Sequence, residues 1–164
     1  MLITEYVVKV KVRIFSSAQP ETTMLEQMRK LAREKSMCVL ATIAGVKPYC
    51  SLMAYAADDA CKEIYMVTHR KTQKYQNLLK NPEVSLMIDT REKTPRTRTQ
   101  ALTVEGRFQK IKDEAKKRAV RQKLLKIHPH LKTFIDDEDA ELICIKINAF
   151  LLLNGLTDAH YEKL

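Results

Sequence analysis

Between residues 37 and 110 the apolar residues fall into five short runs, at 37–43, 49–56, 63–68, 83–89 and 100–110, each closed by turn or helix-stop residues. Runs of this length suit strands. Three of the four links run to ten residues or fewer, and links that short join antiparallel neighbours, because a parallel crossover needs a dozen or more residues. Gly45 and Pro48 read as a hairpin turn between the first two runs, and Asp58 with Asp59 closes the second. In the fifth run Leu102, Val104 and Phe108 alternate with polar neighbours around Gly106, the period of a half-buried strand. Residues 140–153 (AELICIKINAFLLL) add a long strand ended by Asn154 and Gly155. Residues 6–15 (YVVKVKVRIF) alternate β-branched residues with Lys and Arg, which predicts an initial, half-exposed strand.

Helical spacing occurs in three places. Met24, Leu25, Met28, Leu31 and Ala32 share one helical face, and Thr23 followed by Glu26 reads as a capping box, so a helix is predicted over 24–35. Residues 71–80 place Tyr75, Leu78 and Leu79 on one face before Asn81 and Pro82 stop the helix. The third stretch, 113–127, ends at His128, Pro129 and His130. Six or seven antiparallel strands with helices inserted between particular pairs predict a barrel or sandwich of the α+β class. The length of 164 residues suits a single domain over 1–164, with a strand extension in 1–20 and the barrel core in 24–153.

Composition removes several function classes. The chain has only three glycines, so the Gly-rich dinucleotide turn and the P-loop are both excluded. Its four cysteines lie far apart in or beside apolar runs, with no C-x-x-C pair, which suits buried thiols better than a metal site or a disulfide framework. No metal site is expected. The first fifteen residues lack the continuous apolar stretch of a leader, and no run reaches the roughly 18–20 apolar residues of a membrane span. A cytoplasmic protein with reduced thiols is therefore expected. The net charge of +9 favours an anionic partner, whether nucleic acid, membrane surface or a phosphorylated small molecule. Much of that charge lies in 91–98 and 110–126. The basic helix has no accompanying aromatic platform, which ranks nucleic-acid binding below a small phosphorylated ligand.

The order of helix, hairpin, strand, helix ending in Asn-Pro, strand, and then a strand carrying Val104, Glu105 and Gly106 resembles the pyridoxamine 5′-phosphate oxidase-like split-barrel family. The most telling stretch is 64–89, IYMVTHRKTQKYQNLLKNPEVSLMID, and the resemblance covers roughly residues 24–153. It implies an antiparallel split barrel that binds FMN and works as a homodimer with the cofactor at the subunit interface. Counting back from Asn81, Lys74 falls at the family's phosphate-binding lysine. Val67 and Thr68 fall at the end of the preceding strand, and Thr72 falls at the family's serine. Gln73 stands where the family's oxidases carry arginine; Arg70 or Lys71 is the candidate replacement. Pro48, Tyr49, Cys50, Ser51 and Leu52 resemble the segment whose backbone lies along the flavin ring. The family's flavin-contacting glutamine aligns at Ala101, with Gln100 one place earlier as the candidate.

These residue types suit the ligand. A phosphate dianion needs an ammonium, hydroxyl donors and a helix N-terminus, which Lys74, Thr68, Thr72 and the 71–80 helix supply. Taken alone, Thr68 and Thr72 would read as strand-end and helix-cap residues. The substrate side departs from the family: there is no Trp, and no Arg follows Gly155, so oxidation of pyridoxamine phosphate itself is not expected. The expectation is an FMN-dependent oxidoreductase of unknown small-molecule substrate, in which the cofactor carries the redox chemistry. One alternative is a non-catalytic module that binds flavin or haem, with His128, His130 or His160 as axial ligand. A third is a basic nucleic-acid-binding protein.

Overall fold

The computed structural model describes residues 23–91, 99–155 and 157–164. The expected 6–15 strand, the 1–20 extension and most of the charged loop at 91–98 lie outside the described residues. Helix α1 (Met24–Glu34) starts where the Thr23 hydroxyl accepts the backbone N–H of Glu26 at 3.3 Å, as the capping pattern predicts. Its buried face, Met28, Leu31 and Ala32, enters the same apolar cluster as Leu40, Tyr55 and Phe150. Strands β1 (Met37–Ala44) and β2 (Lys47–Ala54) form a hairpin. Gly45 in its link has φ 65°, a left-handed conformation that only glycine takes without steric cost.

The apolar run expected as one strand over 49–56 breaks at Tyr55. Its amide donates to the carbonyl of Ser36, and its hydroxyl donates to the carbonyl of Ala32, both at 2.8 Å. Beyond this break β3 (Ala56–Ala57) pairs with β4 (Glu63–His69) instead of β1. One stretch of chain therefore bonds β1 with its first part and β4 with its last, which turns a corner of the barrel. Helix α2 (Gln73–Lys80) follows, two residues later than expected, because Thr72 takes the cap position.

Strands β5 (Glu83–Asp89) and β6 (Gln100–Lys110) come next, then α3 (Glu114–Ile127), a short 3-10 turn (Pro129–Leu131), α4 (Lys132–Ile135), β7 (Ala140–Asn154) and β8 (Asp158–Lys163). All pairings are antiparallel, in the order β2-β1-β5-β6-β7-β4-β3. This curled sheet with its helices is the split-barrel architecture the sequence predicts. The described residues carry eight strands, not six or seven. The expected strands end before Asn154 and Gly155; in the structure Gly155 (φ 67°) reverses the chain, and β8 takes the edge of β7 from Ala149 onward, where β4 has ended at Lys146. The segment DAHYEK has too little apolar alternation to announce a strand, and its backbone pairing creates one. Among the described residues no helix is long and apolar enough to cross a membrane.

Two clusters form the interior. One fills the barrel with side chains such as Leu86, Leu102 and Phe150, closed by α1 and by Tyr75 and Leu78 of α2. The other lies under α3, where Val120 and Leu124 meet Tyr65, Val67 and Cys144. At Gly106 the β6–β7 register shifts, and a Cβ there would lie 2.6 Å from Ile145 Cγ2 and 2.8 Å from the Lys146 carbonyl oxygen. Gly106→Ala is therefore expected to cost roughly 1–3 kcal/mol of stability, measured as a lowered urea midpoint. An unchanged midpoint would show that the two strands can part at no cost.

Cys38, Cys61 and Cys144 are buried and Cys50 is exposed. Burial pushes the Cys38 and Cys144 thiols up to about 12 and that of Cys61 to about 11, from an ordinary 9.0. The native state thus keeps these protons where the unfolded chain has lost them. Their contribution to stability is complete below pH 9 or so and declines as pH rises toward 11 to 12. Denaturant midpoints are expected to fall steadily above about pH 9. Midpoints that hold level to pH 11 would contradict the burial of these thiols.

Candidate functional site

Strand β4 ends at His69, and the next residues turn tightly into α2. The Thr72 hydroxyl donates to the carbonyl of His69 at 2.8 Å and accepts the Tyr75 N–H at 3.4 Å. Its single proton is thereby committed, so in the Thr68–Thr72 contact at 3.1 Å Thr68 must be the donor. Both hydroxyl protons go to protein acceptors, and the cap reading of Thr72 holds. Lys74 lies one residue into the helix, half-buried, and among the described residues no acid pairs with it.

Lys74 stands at the edge of a cavity of about 220 Å³. Val67 and Thr68 of β4 form one side, and Leu52, Met53 and Ala54 of β2 form another. Leu131 and Phe134 close it. Apart from Thr68, the single ammonium faces apolar side chains, an arrangement that offers one positive charge to whatever enters. Phe134 is held by His69, whose ring stacks on it with centroids 4.2 Å apart and planes 13° from parallel. His69 Nε2 lies 3.9 Å from Asp137 Oδ1. His69 thus helps build a wall.

Of the residues singled out by sequence, Leu52, Val67, Thr68 and Lys74 meet at this cavity, and Thr72 orients its rim. Tyr49, Cys50 and Ser51 lie farther back on β2 and do not line it. Strand alternation also divides them: Cys50 and Leu52 face outward beside Ala41 and Val39, while Tyr49 and Ser51 pair with the inward-facing Thr42 and Leu40. Arg70 turns elsewhere: its Nε sits 3.2 Å from Glu141, and its guanidinium donates to the carbonyl of Glu138. Lys71 binds Asp139 at 2.6 Å. Neither lines the cavity, so among these residues Lys74 alone brings charge to it, and Gln73 donates to Asn77 instead.

Gln100 opens β6 on the same face as the buried Leu102, and its amide donates to Asn154 at 2.7 Å. It too is apart from the cavity. The histidines do not gather. His128 is 4% exposed with Nε2 3.0 Å from the carbonyl of Tyr55, His130 meets it edge to face, and His160 pairs with Asp158 on β8. Sequence reasoning missed Ala54, Leu131 and Phe134 as cavity walls. The apolar Leu131, Phe134 and Ile135 following the helix stop were the available signal, since a solvated loop has no need of three such residues.

The model of the family described as pyridoxamine 5′-phosphate oxidase matches residues 24–154. No curated protein matches the chain. Among solved structures, a haem-binding protein from Mycobacterium smegmatis superposes with a TM-score of 0.77 at 18% identity, covering 90% of this chain. The match spans 60% of the length of that protein. A FAD-binding protein from Mesorhizobium loti gives 0.65 at 17% identity, over 79% of this chain and 93% of its own. A putative pyridoxamine 5′-phosphate oxidase from Listeria innocua gives 0.66 at 18% identity, over 81% and 100%. At these identities the superpositions show a common fold. The family match covers the whole run from α1 to the end of β7, so the chain belongs to the pyridoxamine 5′-phosphate oxidase family.

Proposed function

We propose that this protein binds FMN through Lys74 and the N-terminus of α2, as a homodimer, and serves as a flavin-dependent oxidoreductase acting on a small molecule. The observation that carries the reading is the Lys74 ammonium, without an acid partner among the described residues, in a cavity whose other lining residues, Thr68 apart, are apolar. The phosphate of FMN needs a fixed cation and oriented N–H groups, and the ring system needs apolar walls. Lys74 with the first turn of α2 suits the former; Leu52, Val67 and Phe134 suit the latter. Thr68 joins in by turning its proton from Thr72 toward the phosphate. When bound, the flavin supplies the electron transfer, and the protein orients it and limits its contact with water.

Size and surface support the homodimer. A cavity of about 220 Å³ is smaller than the ~300–1,000 Å³ of typical ligand sites, so one chain covers only part of a flavin. Leu52, on its rim, is 72% exposed. It starts a row of cross-strand partners on the outer face of the sheet: Val39, Met87, Thr103, Leu151 and Tyr161, the last 54% exposed. An apolar stripe crossing six strands and continuous with an incomplete cavity suits a second copy of the chain, which would bury the stripe and complete the site.

The test compares FMN with riboflavin by fluorescence titration. FMN is expected to bind at least about tenfold more tightly, the worth of one charge-assisted contact. Equal affinities would remove the phosphate from the proposal. A second reading, haem binding, draws on the fold shared with the Mycobacterium smegmatis protein. A haem band that survives desalting, in place of a flavin spectrum, would favour it.

A further inference from the structure

Arg70 points away from the Lys74 cavity into a second one, of about 310 Å³, between α3 and the start of β7. Lys117, Arg118 and Arg121 of α3 face it together with Arg70, at the i, i+1 and i+4 positions of one helix side. The buried residues of α3 begin at Val120, and polar side chains of the turns before it line this cavity. Ile135 and Leu142 supply apolar surface within it.

Three of the four cations are steadied by acids. Arg70 lies 3.2 Å from Glu141, Lys117 is 2.7 Å from Glu114, and Arg121 is paired with Asp136. These contacts occupy few of the guanidinium donors, each guanidinium having five. Among the described residues Arg118 has no acid partner. The cavity therefore presents pre-positioned donors and an uncompensated positive charge beside an apolar surface.

We infer that this cavity is a second binding site, for a small phosphate monoester with a compact, flat body. Its phosphate is taken by Arg118, Arg121 and Lys117, and its body rests on Ile135 and Leu142. The carboxylates of Glu114 and Glu141 in the lining oppose a long polyanion, whose successive phosphates would have to pass them. The site is independent of the flavin reading, since Lys74 takes no part in it.

The test is calorimetric titration of the full chain carrying Lys74→Ala with adenosine 5′-monophosphate, at about 0.15 M salt to screen unspecific attraction. The nucleotide is expected to bind one per chain, and adenosine without phosphate is expected not to bind. Adding Arg118→Gln, at an exposed and unpaired position, is expected to weaken binding at least about tenfold with no change in melting temperature. Lys163→Gln on β8 is expected to leave it unchanged. Absence of nucleotide binding, indifference to Arg118→Gln, or an equal loss with Lys163→Gln would each overturn the assignment. So would tight binding of a single-stranded oligonucleotide that the nucleotide fails to displace.

Discussion

Replacing Lys74 by alanine is expected to weaken FMN binding about ten- to a hundredfold, while riboflavin binding stays as it was. The range corresponds to the ~1.5–3 kcal/mol of a hydrogen bond to a charged group. Lys74→Arg keeps the charge and is expected to keep most of the affinity. Fluorescence titration of both flavins measures each effect directly. The informative control is Lys116, another cation of the basic surface. Its ammonium lies 2.8 Å from Glu63, which also accepts a hydrogen bond from Tyr65 at 2.6 Å. Burial works against the Glu63 carboxylate, but these hydrogen bonds outweigh it and hold the group below its usual range. Lys116→Ala is thus expected to leave flavin affinity alone and to cost roughly 1 kcal/mol of stability, a figure already reduced for solvent screening. If both variants lose flavin equally, general basicity and not a site explains the binding.

The second large effect concerns assembly. Leu52→Asp and Met87→Asp are each expected to convert the proposed dimer to a monomer, weakening association at least about a hundredfold. A carboxylate pressed into an apolar interface loses its water and finds no partner, at a cost of several kcal/mol. Leu52 borders the Lys74 cavity, whereas Met87 lies outside it on the same outer row. Loss of flavin with Met87→Asp therefore reports on the second copy and not on a direct contact. Light scattering gives the mass, and circular dichroism checks that the fold persists. A Met87→Asp protein that remains dimeric and retains flavin would place the interface elsewhere.

Much of the fold was legible because its signals are local. Thr23 before Glu26 starts α1, Gly45 turns the first hairpin, and Asn81 with Pro82 stops α2; each acts within a few residues. Pairings between distant segments were not legible. Nothing near residues 63–69 announces that they pair with 140–146, and the edge left free beyond Lys146 is what recruits the polar β8. At the cavity, Lys74 and Thr68 could be found because the 64–89 stretch resembles the family's phosphate-binding segment. Phe134 reaches the same wall from another element, held by a ring stack on His69 that no spacing encodes. Arg70 shows the limit of proximity in sequence: two residues from Thr68, it is drawn by Glu141 into a different cavity. Gln100 likewise depended on register, and the β6 alternation sets it on the side of Leu102.

A single spectrum decides whether the Lys74 cavity holds a flavin. The purified protein is mixed with excess FMN, desalted, and its visible absorption recorded. The two-banded spectrum of an oxidised flavin is expected to be retained at one flavin per chain. A colourless protein after desalting would contradict it.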